Sequence, residues 1–120
     1  MMTPREIAER IVLTLDNKKG KDIRLLKTEA VTVLADYFVL CTGTGATHLK
    51  TLVEEVDKAL SEAGEPPLRR EGYRGGSWVL LDFGSVIVHL FSEQARSFYD
   101  LEHLWADAED VTDSVLAERA

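Results

Sequence analysis

Hydrophobic positions fall at two different spacings along this chain. Near the start, Ile7, Ala8, Ile11, Val12 and Leu15 recur three and four residues apart, which puts their side chains on one helical face. Thr3-Pro4-Arg5-Glu6 supplies a beginning for that helix: a capping hydroxyl, a proline where no amide hydrogen is needed, and a glutamate that can reach back to the cap amide. Asn17-Lys18-Lys19-Gly20 ends the pattern. Leu49, Leu52, Val53, Val56, Leu60 and Ala63 predict a second helix, closed by Gly64 and kept from continuing by Pro66-Pro67.

Between and after these helices the spacing changes to that of strands. Asp36 to Thr42 is rich in aromatic and β-branched residues and is stopped by Gly43-Thr44-Gly45, so it reads as a buried strand. Asp22 to Lys27 predicts a shorter strand, which Val31 to Leu34 either extends or turns back. Leu68 to Glu71 starts another strand, Gly72 to Gly76 reads as loop, and Trp78 to Phe83 with Val86 to Phe91 flank Gly84-Ser85 as a hairpin. Ser92-Glu93 opens a short helix toward Tyr99, and residues 106–120 are polar with a weak helical pattern. A strand-helix-strand crossover beside a hairpin predicts a mixed sheet.

Alternation within the hairpin separates two faces. Val79, Leu81 and Phe83 point one way and are core; Trp78, Leu80 and Asp82 point the other way. An aromatic, an aliphatic and an acid side by side suit a partner-binding patch, and the alternative is that a helix of the same domain covers Trp78 and Leu80. Phe98-Tyr99-Asp100-Leu101-Glu102-His103-Leu104-Trp105 interleaves apolar and acidic groups in the same way.

Length and charge narrow the picture. The 120 residues make one domain, and 45% apolar with 29% charged residues is ordinary for a globular chain. The net charge of −7 is unevenly spread: residues 1–99 hold 14 acids and 13 bases, residues 100–120 hold 7 acids and 1 base. A near-neutral body with an acidic end lacks the basic stripe that duplex binding requires, so a basic protein is the better partner and no direct nucleic-acid readout is expected. The same acids also suit a merely solubilising role. The reading therefore divides the chain into a domain of residues 1–106 and an acidic tail of residues 107–120, and removing residues 108–120 is expected to leave a folded domain. No apolar run approaches the roughly 20 residues of a membrane span, and the single Cys41 forms no internal disulfide, so a reducing cytoplasm is expected.

Candidate chemistry is sparse. Gly43-Thr44-Gly45-Ala46-Thr47-His48 lies where a dinucleotide fingerprint would, but His48 takes the third glycine position and no Gly-Lys-Ser/Thr ending follows. A turn with positive backbone dihedrals is the preferred reason for both glycines. Nucleotidyl transfer wants paired carboxylates for magnesium, and the strands that follow offer only Asp82. His48, His89 and His103 fall on different elements without helix-spaced partners, and Cys41 in mid-strand reads as a small hydrophobe. No catalytic residue, metal or cofactor is expected.

Ala35-Asp36-Tyr37-Phe38-Val39, Cys41-Thr42-Gly43-Thr44, Glu71-Gly72, Trp78-Val79-Leu80-Leu81-Asp82-Phe83-Gly84, Val88-His89-Leu90-Phe91, and Phe98-Tyr99-Asp100-Leu101-Glu102 with Leu104-Trp105 recur in one order along the chain. Together they resemble the Iojap-like ribosomal silencing factors over nearly the whole length. The resemblance implies an α+β fold, a mixed β-sheet flanked by helices with nucleotidyltransferase-like topology but without the catalytic acids. It implies a non-enzyme that binds the large ribosomal subunit through the protein conventionally numbered fourteen. Joining of the small subunit is then blocked by bulk, which represses translation when nutrients are scarce. It also implies a homodimer in several members. The alternatives are a degenerate nucleotide-binding domain and an adaptor for another basic protein.

Two departures stand out: Asp82-Phe83-Gly84-Ser85 replaces the family's usual Asp-Tyr-Gly-Asp, and Gly45-Ala46-Thr47-His48 replaces a more polar entry to the second helix. The expected contact residues, matching both the family and the surface argument, are Trp78, Leu80, Asp82, Tyr99, Asp100 and Glu102.

Overall fold

Helix α1 (Pro4–Asn17) starts on the reciprocal cap that its sequence encodes: the Thr3 hydroxyl accepts from the Glu6 amide, and the Glu6 carboxylate accepts from the Thr3 amide at 2.9 Å. The computed structural model describes residues 2–99 and 106–116; within them the side chains of Tyr73, Arg74, Phe98 and Tyr99 are left undescribed. After α1 come β1 (Lys21–Lys27), β2 (Tyr37–Gly43), α2 (Ala46–Glu62), β3 (Arg69–Tyr73), β4 (Trp78–Asp82), β5 (Val86–Ser92) and α3 (Glu93–Tyr99). The last described elements are β6 (Glu109–Asp110) and a single turn, α4 (Asp113–Leu116).

The six strands form one sheet in the order β3-β4-β5-β2-β1-β6. β2 and β5 run parallel, because the chain between them crosses over through α2, and every other pair is antiparallel. This is the expected α+β fold with a mixed sheet. The crossover partner of β2 is β5 and not the strand next in sequence; β3 instead pairs β4 as an edge hairpin.

α1 and α2 cover one face. Ile7, Ile11, Val12 and Leu15 meet Leu49, Leu52, Val56 and Leu60 over Leu25, Val39, Cys41, Val88, Leu90 and Leu81. Fully burying such a side chain contributes about 1.5 to 3 kcal/mol, so this layer is the main source of stability. The opposite face carries a smaller cluster of Leu26, Ala35, Phe38, Leu40, Phe91 and Ala95, with Trp78, Ile87 and Ala108 packed at its margin.

Four local expectations change. Val31 to Leu34 neither extends β1 nor forms a strand: it is a loop closed by the Thr28 hydroxyl donating to the Ala35 carbonyl and by the Asp36 amide donating to the Ser85 carbonyl. Gly72 lies inside β3 and not in a loop. Gly43 and Gly45 are not at positive φ; Gly45 is extended at −171°, and a Cβ on Gly43 would stand 3.0 Å from the Leu49 backbone, so this glycine lets α2 approach the sheet. Part of the segment expected as a tail is built into the fold, because Glu109–Asp110 pairs with β1 and Val115 is buried in the main core.

Candidate functional site

The second face of the sheet is assembled by register. Trp78 on β4 stands opposite Phe91 on β5, Leu80 opposite His89, and Asp82 opposite Ile87. Across the parallel pair, His89 aligns with Leu40 and Ile87 with Phe38. Period-two alternation therefore puts Trp78, Leu80 and Asp82 on the same side as His89, Phe91, Phe38 and Leu40. The Trp78 indole stacks on Phe91 with centroids 5.4 Å apart and rings inclined at 27°, and its N–H donates to Nδ1 of His89 at 3.2 Å. The His89 ring is tilted against Phe38 at 5.3 Å and stacked on Phe91 at 6.1 Å. Trp78 itself is half-buried. It is thus neither free in solvent nor sealed in the core, and it joins the second cluster from its margin.

His89 is the ionisable group at the centre of this face, and only 6% of it is exposed. Burial lowers its pKa from 6.5 to about 4, since the charged form would give up its hydration. The ring is therefore neutral at physiological pH. Because Nδ1 accepts the indole N–H, the remaining ring proton sits on Nε2, and among the described residues that buried atom has no hydrogen-bond partner. Between pH 6.5 and about 4 the unfolded chain binds this proton while the folded chain does not, so stability falls as pH falls through that window. The shift corresponds to about 3 kcal/mol. Chemical denaturation at pH 7 and pH 4.5 should show a larger loss for the parent than for His89→Leu, which lacks the titrating group; equal losses would refute the assignment.

Asp82 has local work as well as a position on the face. Its carboxylate accepts from the Gly84 amide at 2.7 Å, which pins the β4-β5 turn where Gly84 has φ +85°, and it lies 3.5 Å from Arg69. Leu80 is half-buried between Glu71 and His89 in the register. Tyr99 is the last residue of α3, but its side chain, together with Asp100 and Glu102, falls outside the described residues. The structure thus brings three of the six expected contact residues onto one face.

The sequence weighed His89 only as a metal ligand and assigned neither it nor Phe91 or Arg96 to this face or its supports. The first two were within reach, because the alternation used for Trp78 also runs along β5. Arg96 is buried on α3, where it donates to the Thr42 hydroxyl at 2.9 Å and to the Asp22 carbonyl at 2.8 Å. It ties α3 to a β1 bulge at which Asp22 adopts φ +49°.

The other candidate chemistries resolve into structural roles. The His48 ring accepts the Thr44 amide hydrogen on Nδ1 at 2.9 Å and approaches the Lys18 carbonyl at 2.9 Å through Nε2, linking the start of α2 to the end of α1. The cleft ahead of α2, about 180 Å³, is bounded by Gly43, Gly45, Gly76, Ser77, Ser92 and Glu93, and among the described residues its one ionisable group is an acid, which disfavours phosphate. In the neighbouring cleft of about 410 Å³ between α2 and β3, Arg70 is already paired with Glu54 and Asp57. Burial pushes the Cys41 thiol up to about 12, which removes the thiolate a nucleophile needs. Among the described residues no group of three or more His, Cys, Asp or Glu is placed to hold a metal ion, and no helix is long and apolar enough to cross a membrane.

Comparison with known proteins gives one family. Residues 1–120 match the family model described as ribosomal silencing factor during starvation. The chain is 34% identical over 110 residues to ribosomal silencing factor RsfS of Halalkalibacterium halodurans, covering 92% of this chain and 94% of that protein. A crystal structure from Chromobacterium violaceum superposes with a TM-score of 0.83 at 37% identity, covering 88% of each chain. A mouse protein named mitochondrial assembly of ribosomal large subunit protein 1 is 31% identical over 100 residues, covering 81% of this chain and 44% of its own length.

Proposed function

Because the chain belongs to the family of ribosomal silencing factors during starvation, we propose that it binds the large ribosomal subunit and blocks joining of the small subunit by its bulk. Within this reading the contact is made to the large-subunit protein conventionally numbered fourteen, in the cytoplasm, and translation is turned down when nutrients are scarce. The family match over all 120 residues carries the reading. The name of the mouse relative adds support for the large subunit. The contact residues proposed are Trp78, Leu80 and Asp82, continued by Tyr99, Asp100 and Glu102.

The mechanism needs a surface and no bond chemistry. Trp78 offers a large apolar area of which a part remains exposed, and Leu80 and Asp82 follow it along β4. An aromatic anchor beside acidic groups suits a basic protein surface: apolar contact supplies affinity, while the acids raise the rate of encounter and orient it. The acids of residues 100–120 add long-range attraction of the same sign. A domain of 13.4 kDa held on the face where the subunits meet would exclude the second subunit by volume alone.

Sedimentation tests this reading directly. The protein should pellet with isolated large subunits and not with small ones, and at saturation it should lower the yield of joined ribosomes when both subunits are mixed. Equal pelleting with both, or unchanged joining at saturation, would overturn it.

A further inference from the structure

Among the described residues Nε2 of His89 is a buried polar atom without a hydrogen-bond partner, and stability does not explain it. A donor left unsatisfied inside a protein costs free energy, and an apolar side chain at position 89 would remove that cost. Yet the ring that carries it is the one that accepts the Trp78 indole N–H. We propose that His89 is a positioning residue for docking: its Nδ1 holds the Trp78 indole flat against Phe91, in the orientation that the large subunit meets. The proposal rests on the reading that Trp78 contacts the large subunit.

Three observations support it. A half-buried indole at the margin of the second cluster has freedom about two side-chain torsions, and stacking alone tolerates rotation in its own plane. The 3.2 Å hydrogen bond to Nδ1 removes that rotation. His89 is in turn fixed from both sides, by Phe38 at 5.3 Å and Phe91 at 6.1 Å, so the acceptor cannot turn away. Finally, burial keeps the ring neutral, which leaves Nδ1 free to accept at any pH near 7. Among the described residues, Asp82 is engaged with Gly84 and Arg69, Glu71 with Arg69, and Arg96 with Thr42 and Asp22.

Two substitutions and one spectrum test the idea. In His89→Asn the amide oxygen stands where Nδ1 stands and can still accept the indole N–H; in His89→Leu nothing can. His89→Leu should melt no lower than His89→Asn, because Leu leaves no buried polar atom, yet it should bind large subunits about fivefold or more weakly than the parent. His89→Asn should stay within about threefold of the parent. A purely structural role would instead make affinity follow stability. In the free parent, nitrogen NMR should show His89 protonated on Nε2 and unprotonated on Nδ1, with the Trp78 indole hydrogen slow to exchange. Parent-like binding by His89→Leu, affinities that follow melting temperature, or a proton on Nδ1 would each overturn the role. A parent that does not pellet with large subunits overturns the proposed function and this role with it, whereas a binding parent beside an equally binding His89→Leu overturns this role alone.

Discussion

A chain cut after Asp107 is expected to melt about 15 °C or more below the full chain. The lost segment closes the sheet. Glu109–Asp110 pairs with Lys27 and Leu26, the Val111 amide donates to the Leu25 carbonyl at 2.9 Å, and the Thr112 hydroxyl accepts the Leu25 amide hydrogen at 2.8 Å. Val115 then inserts into the main core with 4% of its surface exposed. Removing it forfeits about 2 kcal/mol of apolar burial, and stripping the partner from a buried amide adds about 1 to 3 kcal/mol. The sum, about 4 kcal/mol, is a large part of the stability of a domain this size and moves the melting temperature by several degrees for each kcal/mol. Charge predicts something different. The deletion removes a net charge of −3 and would relieve repulsion if charge were its main effect. Glu109→Gln with Asp113→Asn in the full chain, both exposed, should melt within a few degrees of the parent and so separates charge from packing. A truncated chain that melts with the parent would show that residues 1–107 fold without the sixth strand.

That segment was illegible for a physical reason. A strand of two residues carries no period, and one valine in an acidic stretch carries no stripe; what holds it is the open edge of β1, a partner more than 80 residues away along the chain. The elements that could be read are those whose cause is local. The cap of α1 lies within four residues, the apolar faces of α1 and α2 repeat over several turns, and the turn at Gly84-Ser85 sits between two alternating runs. Val31 to Leu34 shows the converse. Its apolar residues suggest strand, but the loop is fixed by Thr28 and Ser85, and Val33 and Leu34 remain exposed. Gly72 looked like loop because glycine weakens strands, yet an edge strand tolerates it.

The candidate site was half legible in the same sense. Alternation along β4 separated Trp78 from Leu81 correctly, since a pleated strand permits no other assignment. Whether Trp78 was bare or covered could not follow from β4 alone. It depends on which strand lies beside it and at what offset, and only the register Trp78 to Phe91 brings His89 under the indole. Gly43 and Gly45 misled toward backbone dihedrals; at Gly43 the cause is the close approach of a helix, which leaves no trace in the sequence except the glycine itself.

Trp78→Ala should weaken binding to the large subunit by roughly 30-fold to 1000-fold, against little change for Lys18→Ala or Lys19→Ala. Truncating an aromatic anchor in an interface commonly costs on the order of 2 to 4 kcal/mol, which is that range of affinity. Lys18 pairs with Glu55 on the far side of the sheet at 3.3 Å, with both side chains partly exposed, so its loss should be nearly silent. The half-burial of Trp78 complicates the experiment in a measurable way. Alanine removes the stack on Phe91 and the bond to His89, and a fully buried tryptophan would lose about 3 to 5 kcal/mol of stability on truncation. Because the indole lies at the margin of the second cluster, the loss should be smaller, about 2 kcal/mol, and the domain should remain folded. Trp78→Phe supplies the intermediate case: it keeps a ring to stack on Phe91 but has no N–H to donate to His89. Its affinity should fall between those of the parent and Trp78→Ala, with most of the stability kept. Unfolding and binding must be read on the same samples. If Trp78→Ala is unfolded, the residue belongs to the core; if it is folded and binds like the parent, the subunit is met by another surface.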